Sequence, residues 1–191
     1  MTKTSTDPVA EILGLLSTKA TGFYGLSSVT QQQHALQCAH LAEQAGEDAA
    51  FVTAALTHDI GHLVHDIGED YLEQGVDDMH EELGLRYLER FFGPAVTEPV
   101  ALHVAAKRYL CATEADYFAK RGKDSVASLK LQGGPMNRAE CAHFESFAHW
   151  EAALRLRRLD EQGKDPEMAT PPVAHYEGIV RQALADAPAT T

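Results

Sequence analysis

Residues 56–62, "LTHDIGH", put two histidines and an aspartate directly after the apolar run "AAFVTAAL" of residues 49–56. That run has no polar face and reads as a buried helix. Imidazole and carboxylate groups at the end of such a helix need partners, because burying them unpaired is costly. The other histidines indicate what those partners are. The chain has ten in 191 residues, and four fall on successive helical segments. His34 lies in the second, His58 and Asp59 end the third, His80 begins the fourth and His103 lies within the fifth.

A single histidine on an apolar helix face is usually a satisfied core residue. Four on four helices, one beside a carboxylate, point instead to a cation. Imidazole plus carboxylate donors suit iron, zinc or manganese rather than calcium. Asp160, in "RLRRLDEQG" near the end of the last long helix, is the further carboxylate available to close the set. Taken alone, it would read as a surface ion pair with the neighbouring arginines.

The rest of the chain is helical in pattern, with no convincing strand alternation. The first helix is expected over Pro8 to Lys19, with Asp7 as cap and Pro8 in the first turn. The second begins near Ser28 or Thr30, where Thr30 and Gln33 fit a capping box, and stops at Gly46. The third runs from Asp48 to Asp59. The fourth is "DMHEELGLRYLERFFG", closed by Gly93-Pro94, and the fifth is "TEPVALHVAAKRYLCAT". "DIGEDYLEQGVDD" reads as a polar loop. Residues 113–138 look less regular, with a turn at "QGGPM". One long helix is expected from Arg138 to Glu161, then a short terminal one. Repeats and linkers are absent, so the reading is one all-α domain over residues 1–191, frayed at about 1–6 and 186–191.

Composition bounds the function. Sixteen Lys plus Arg against 28 Asp plus Glu give a net charge of −12, which argues against non-specific nucleic-acid binding and against an anionic membrane surface. Cys38, Cys111 and Cys141 are odd in number and widely spaced, as expected of reduced thiols in a cytoplasmic protein. No stretch approaches the length of a membrane span. A small anionic substrate remains compatible, because cationic or donor groups recur one turn from the candidate ligands. Lys107 follows His103 by four, Arg157 precedes Asp160 by three and His62 follows His58 by four. Singly, Lys107 and Arg157 would read as solvated surface charge. Together, beside metal donors, they suit a phosphate-like group.

The order His34, His58-Asp59, His80, His103, Asp160 resembles the HD-domain superfamily of helical bundles holding one or two metals. Most members are phosphohydrolases and a few are mixed-valent diiron oxygenases. The blocks "QHALQCAHLAEQAG", "AALTHDIGH", "HVAAKRYL", "LQGGPM" and "RLRRLDEQGK" are similar to the 1-hydroxyalkylphosphonate oxygenases, in order from Tyr24 to Tyr176. That resemblance implies two irons, Fe(II)/Fe(III), O2 as co-substrate and the six residues above as ligands, Asp59 bridging. It further implies a phosphonate held by His62, Lys107, Ser125 and Arg157, and a loop whose Tyr24 occupies an iron until substrate displaces it. Three residues on, the family carries a glutamate that contacts the substrate amine; here position 27 is Ser27. Its absence favours hydroxymethylphosphonate, or another small substrate without a primary amine, over 2-amino-1-hydroxyethylphosphonate or an N-methylated analogue. The expected reaction is oxidative cleavage of the carbon–phosphorus bond to phosphate and a carboxylic acid. A second enzyme that hydroxylates the phosphonate would supply the substrate. An HD-type phosphohydrolase using the same metals, and a non-catalytic metal-binding module, are the competing classes.

Overall fold

A computed structural model describes residues 7–24, 28–64, 79–119 and 123–186, except the side chains of residues 123–125 and 127. Ser27, His65, the loop expected at 66–78 and the chain ends expected to fray (save Asp186) lie outside that description. Among the described residues the chain is helical, with one isolated bridge between Phe23 and Thr30.

Local signals account for the first three helices. Helix α1 (Pro8–Thr18) starts at Asp7, whose carboxylate accepts from the Val9 amide at 3.1 Å. Helix α2 (Gln31–Gln44) opens with the Thr30/Gln33 capping box, both reciprocal bonds formed, and ends before Gly46 at φ +76°. Helix α3 (Ala49–Thr57) is capped by Asp48 and buries every residue from Phe51 to Thr57. His58 is its C-terminal cap, and a 3-10 turn follows over Ile60–Leu63. The change of helix type means that His62 does not share an α-helical face with His58 despite the spacing of four.

Helix α4 (His80–Leu88) is shorter than its sequence suggested, and α5 (Pro94–Thr113) begins three residues earlier. Pro94 at the first turn needs no amide partner, so the helix can start there. The stretch expected to be irregular holds α6 (Ala115–Ala119) and α7 (Lys123–Leu131). The "QGGPM" turn follows, with Gly133 and Gly134 at positive φ and the Gly134 carbonyl accepting from Arg108 Nε at 2.9 Å. That bond ties the turn to "HVAAKRYL".

The long helix expected from Arg138 to Glu161 is two helices, α8 (Arg138–Phe144) and α9 (Trp150–Gln162). Three contacts break it. Ser146 Oγ donates back to the His143 carbonyl at 2.6 Å, and Glu98, on α5, accepts from the His149 amide at 2.7 Å. The Trp150 ring then packs edge-on to Phe144. Helix α10 (Glu177–Ala185) closes against α3.

The main core joins α1, α2, α3, α4, α10 and the start of α5; a smaller one around Leu102, Ala106, Phe144 and Ala153 joins α5, α8 and α9. Between them α2, α3, α4, α5 and α9 face a common interior, where the polar groups gather. No helix is long and apolar enough to cross a membrane among the described residues.

Candidate metal centre

His34, His58, His103 and Asp160 are each at most 1% exposed, and His80 is 8% exposed. His34 and His58 bring their Nε2 atoms to 3.2 Å of each other, and His80 and His103 bring theirs to 3.1 Å. Asp59 sits between the pairs. Its Oδ2 is 3.5 Å from His34 Nε2 and 3.3 Å from His58 Nε2. Its Oδ1 is 3.5 Å from both His80 Nε2 and His103 Nε2. Asp160 adds Oδ1 at 3.4 Å from His34 Nε2.

The imidazole tautomers test whether this set fits a metal. His34 Nδ1 lies 2.7 Å from the Gly163 carbonyl, His58 Nδ1 2.9 Å from that of Ala55, and His103 Nδ1 2.7 Å from that of Val100. A carbonyl only accepts, so each Nδ1 carries a hydrogen and each ring turns its Nε2 inward, the nitrogen that offers a lone pair to a metal. Lone pairs facing each other across about 3 Å repel unless a cation lies among them. Asp59 Oδ2 is buried without a hydrogen-bond partner. The donors therefore fit two cations, His34, His58, Asp59 and Asp160 around one and His80, His103 and Asp59 around the other.

The local field agrees. Burial opposes ionisation of Asp59, but the surrounding imidazoles, His58 first, outweigh it and hold the carboxyl well below its usual range. Burial likewise opposes charge on Asp160, and Arg157 and Lys164 overcome it. Burial disfavours charge on His58, yet Asp59 and then Asp160 raise its pKa, so a positive charge is welcome at that point. Burial and His80 hold His103 well below the usual range, neutral and able to donate its lone pair.

Gly61 makes the second pair possible. A Cβ there would lie 1.9 Å from the His80 carbonyl oxygen. Only glycine lets the turn after Asp59 pass that close to the start of α4. His62 then stacks on His80, centroids 4.2 Å apart at 20°.

Lys107 and Arg157 approach from the side of α5 and α9. Lys107 is 4% exposed and donates to Ser128 Oγ at 2.9 Å. Burial, then the Arg157 charge, bring its pKa down to about 7. Arg157 is 6% exposed and donates from Nη1 to Asp160 Oδ2. Tyr24 stacks on His34 at 3.9 Å and donates to Asp160 Oδ1 at 3.4 Å. Burial, then the Asp160 and Asp59 charges, push its phenol pKa well up, so it stays protonated here. Ser125 falls in α7, one turn before Ser128; its side chain lies outside the description.

Lys164, Glu161, Gly163 and Gln37 escaped sequence reasoning, and the structure also places Tyr117, Cys38 and Tyr109. Lys164 Nζ is 3.2 Å from Asp160 Oδ1 and 5.1 Å from the Tyr24 ring centroid. Its i+4 spacing from Asp160 was available as a signal. Glu161 and Tyr117 hold Arg157, and Gly163 supplies the carbonyl that orients His34. Gln37 clamps the segment after α9, donating to the Asp165 carbonyl at 2.7 Å and accepting from its amide at 3.1 Å. Cys38 Sγ lies 3.9 Å from both His34 nitrogens, but burial raises its thiol well above the usual range and keeps it protonated. Tyr109 packs with Phe144 and Trp150.

A helical bundle that turns paired histidines and a shared aspartate inward is the architecture of the HD domain, and residues 32–131 match the HD-domain family model. The chain is 44% identical over 154 residues to [1-hydroxy-2-(trimethylamino)ethyl]phosphonate dioxygenase (glycine-betaine-forming) of Leisingera caerulea, covering 81% of this chain and 79% of that one. It is 42% identical over 187 residues to hydroxymethylphosphonate dioxygenase of Gimesia maris, covering 96% and 92%. An uncharacterised protein of Acanthamoeba polyphaga mimivirus is 32% identical over 162 residues, covering 83% and 74%. The chain belongs to the HD-domain phosphonate dioxygenase family.

Proposed function

We propose that the protein is an iron- and O2-dependent dioxygenase that cleaves the carbon–phosphorus bond of a small 1-hydroxyalkylphosphonate, with hydroxymethylphosphonate as the preferred substrate. The carrying observation is Asp59, whose two oxygens each face a separate imidazole pair, as a bridge between two metals requires. His34, His58, Asp59, His80, His103 and Asp160 would hold a mixed-valent diiron pair, which supplies O2 activation and hydrogen abstraction from C1. The reaction balances as hydroxymethylphosphonate plus O2 giving formate plus inorganic phosphate. The C–P bond breaks, carbon is oxidised from the alcohol to the acid level, and one oxygen atom is added to each product.

The chain's own part is charge and placement. Lys107 and Arg157 would neutralise the phosphonate and His62 would help orient it, with Ser125 and Ser27 as further substrate-binding residues, so that C1 faces the metals. Tyr24, stacked on His34 and bonded to Asp160, covers the ligand cluster and yields that position to substrate. The Gimesia maris relative, matching nearly the whole chain, supports the small substrate. Ser27 in place of a carboxylate leaves a primary ammonium without its counter-charge. The Leisingera caerulea relative favours a second reading, a trimethylammonium substrate, which carries no N–H to satisfy. One domain over residues 1–191 carries the activity. Its free thiols suit a reducing cytoplasm, where a phosphonate hydroxylase would supply substrate.

Iron-loaded, partly reduced protein should release phosphate from hydroxymethylphosphonate only when oxygen is present, and more slowly from 2-amino-1-hydroxyethylphosphonate and its trimethylated analogue. Faster turnover of an amino compound would refute the substrate assignment. Oxygen-independent hydrolysis of phosphate esters, with no phosphonate cleaved, would refute the oxygenase.

A further inference from the structure

Arg157 has five N–H donors in one plane. Glu161 Oε1 takes the side edge, accepting from Nε at 3.1 Å and Nη2 at 3.0 Å. Tyr117 OH donates to that same Glu161 oxygen at 2.5 Å and accepts from Arg157 Nε at 3.3 Å. Asp160 takes one Nη1–H. Among the described residues no other group takes the second N–H of either terminal nitrogen, which leaves two donors for an oxyanion. Asp160 and Glu161 hold the guanidinium from its own helix α9, and Tyr117 reaches it from α6, so one of its fixing contacts depends on tertiary packing.

We infer that Glu161 and Tyr117 are positioning residues that lock the Arg157 guanidinium with its two remaining donors presented to the substrate phosphonate, an inference that rests on the reading of Arg157 as a phosphonate binder. The arrangement carries an apparent cost. A carboxylate beside Arg157 weakens its net attraction for an anion, so an electrostatic view and a positioning view predict opposite signs for its removal. Without the clamp, Arg157 would follow Asp160 alone and lose the orientation that makes a bidentate contact strong.

Methylphosphonate, which carries no C1 hydroxyl, is the probe, and its binding to the metal-loaded protein without oxygen is read by calorimetry. Arg157→Ala should weaken binding on the order of 100-fold, as expected for loss of charge-assisted bonds. Glu161→Gln should weaken it on the order of tenfold and Tyr117→Phe about threefold, each a fraction of the effect of losing Arg157. In the Arg157→Ala background both should have almost no further effect, because they act through Arg157. A general structural role for Glu161 would persist in that background. Tighter or unchanged binding in Glu161→Gln, or equal losses with and without Arg157, would overturn the positioning role while sparing Arg157. No binding by the unsubstituted protein, or binding that Arg157→Ala leaves intact, would overturn the reading of Arg157 and the inference with it.

Discussion

A single methyl group at Gly61 should separate the two halves of the metal centre. The Cβ of Gly61→Ala would sit 1.9 Å from the His80 carbonyl oxygen, 2.7 Å from its carbon and 2.9 Å from its Cα. Non-bonded carbon and oxygen settle at about 3.3 Å or beyond, so the 3-10 turn and the start of α4 must part by about 1.4 Å. All three of these atoms are backbone, and no side chain can rotate away to relieve the contacts. His80 opens α4 and moves with it; His34, His58 and Asp160 sit on α2, α3 and α9 and do not. Overpacking of this kind costs about 1–3 kcal/mol, and a ligand displaced by about 1 Å costs on the order of 100-fold in rate. For a chain of this size that is a fall in Tm on the order of 10 °C at the upper end. Metal analysis of iron-loaded protein should give close to one ion per chain instead of two, with phosphate release down on the order of 100-fold. Gly178→Ala is the control, since a Cβ there meets nothing within 4 Å. Two ions per chain, an unchanged Tm and full turnover in Gly61→Ala would refute the claim that this glycine sets the second site.

Three further outcomes follow from the geometry. Lys107, with a pKa of about 7 in the folded protein, is charged below that pH and neutral above it. Binding of an anion therefore weakens as pH rises through about 7, and Lys107→Arg should carry the alkaline limb of kcat/KM to higher pH; an unmoved limb would exclude Lys107 as its source. At Gly163 an added Cβ would lie 2.7 Å from Cys38 Sγ and 3.3 Å from His34 Nδ1. Gly163→Ala should lower metal content at the first pair, and Cys38→Ala in the same chain should restore most of it; no recovery would show that the His34 contact dominates. Stripping the metal with a chelator should lower Tm by about 2–4 °C for each kcal/mol of binding free energy lost. Stability indifferent to metal would contradict the lone-pair argument.

The histidine candidates and Asp59 stood out in the sequence as polar groups set into an apolar helical pattern, whereas Asp160 sits among charged neighbours and did not; α1, α2 and α3 are bounded by caps within a few residues of their ends. Capping is a local interaction, and Asp7, Thr30 with Gln33, and Asp48 each perform it as their spacing implies. The break at residues 145–149 was not legible. It depends on Glu98, about fifty residues away, and on an aromatic cluster from two helices. Nor does spacing reveal which groups aim the ligands. His34 is oriented by the Gly163 carbonyl, and backbone carbonyls have no sequence signature. Arg157 reads as half of an i,i+3 pair with Asp160, yet its guanidinium is also held by Tyr117 on another helix. The sequence by itself determined the helical class and the order in which the candidate donors follow along the chain, because periodicity, capping and residue chemistry are local properties. Only the tertiary structure decided that Asp59 turns one oxygen to each histidine pair, since that requires the packing of α2, α3, α4 and α5 to bring four imidazoles around one carboxylate.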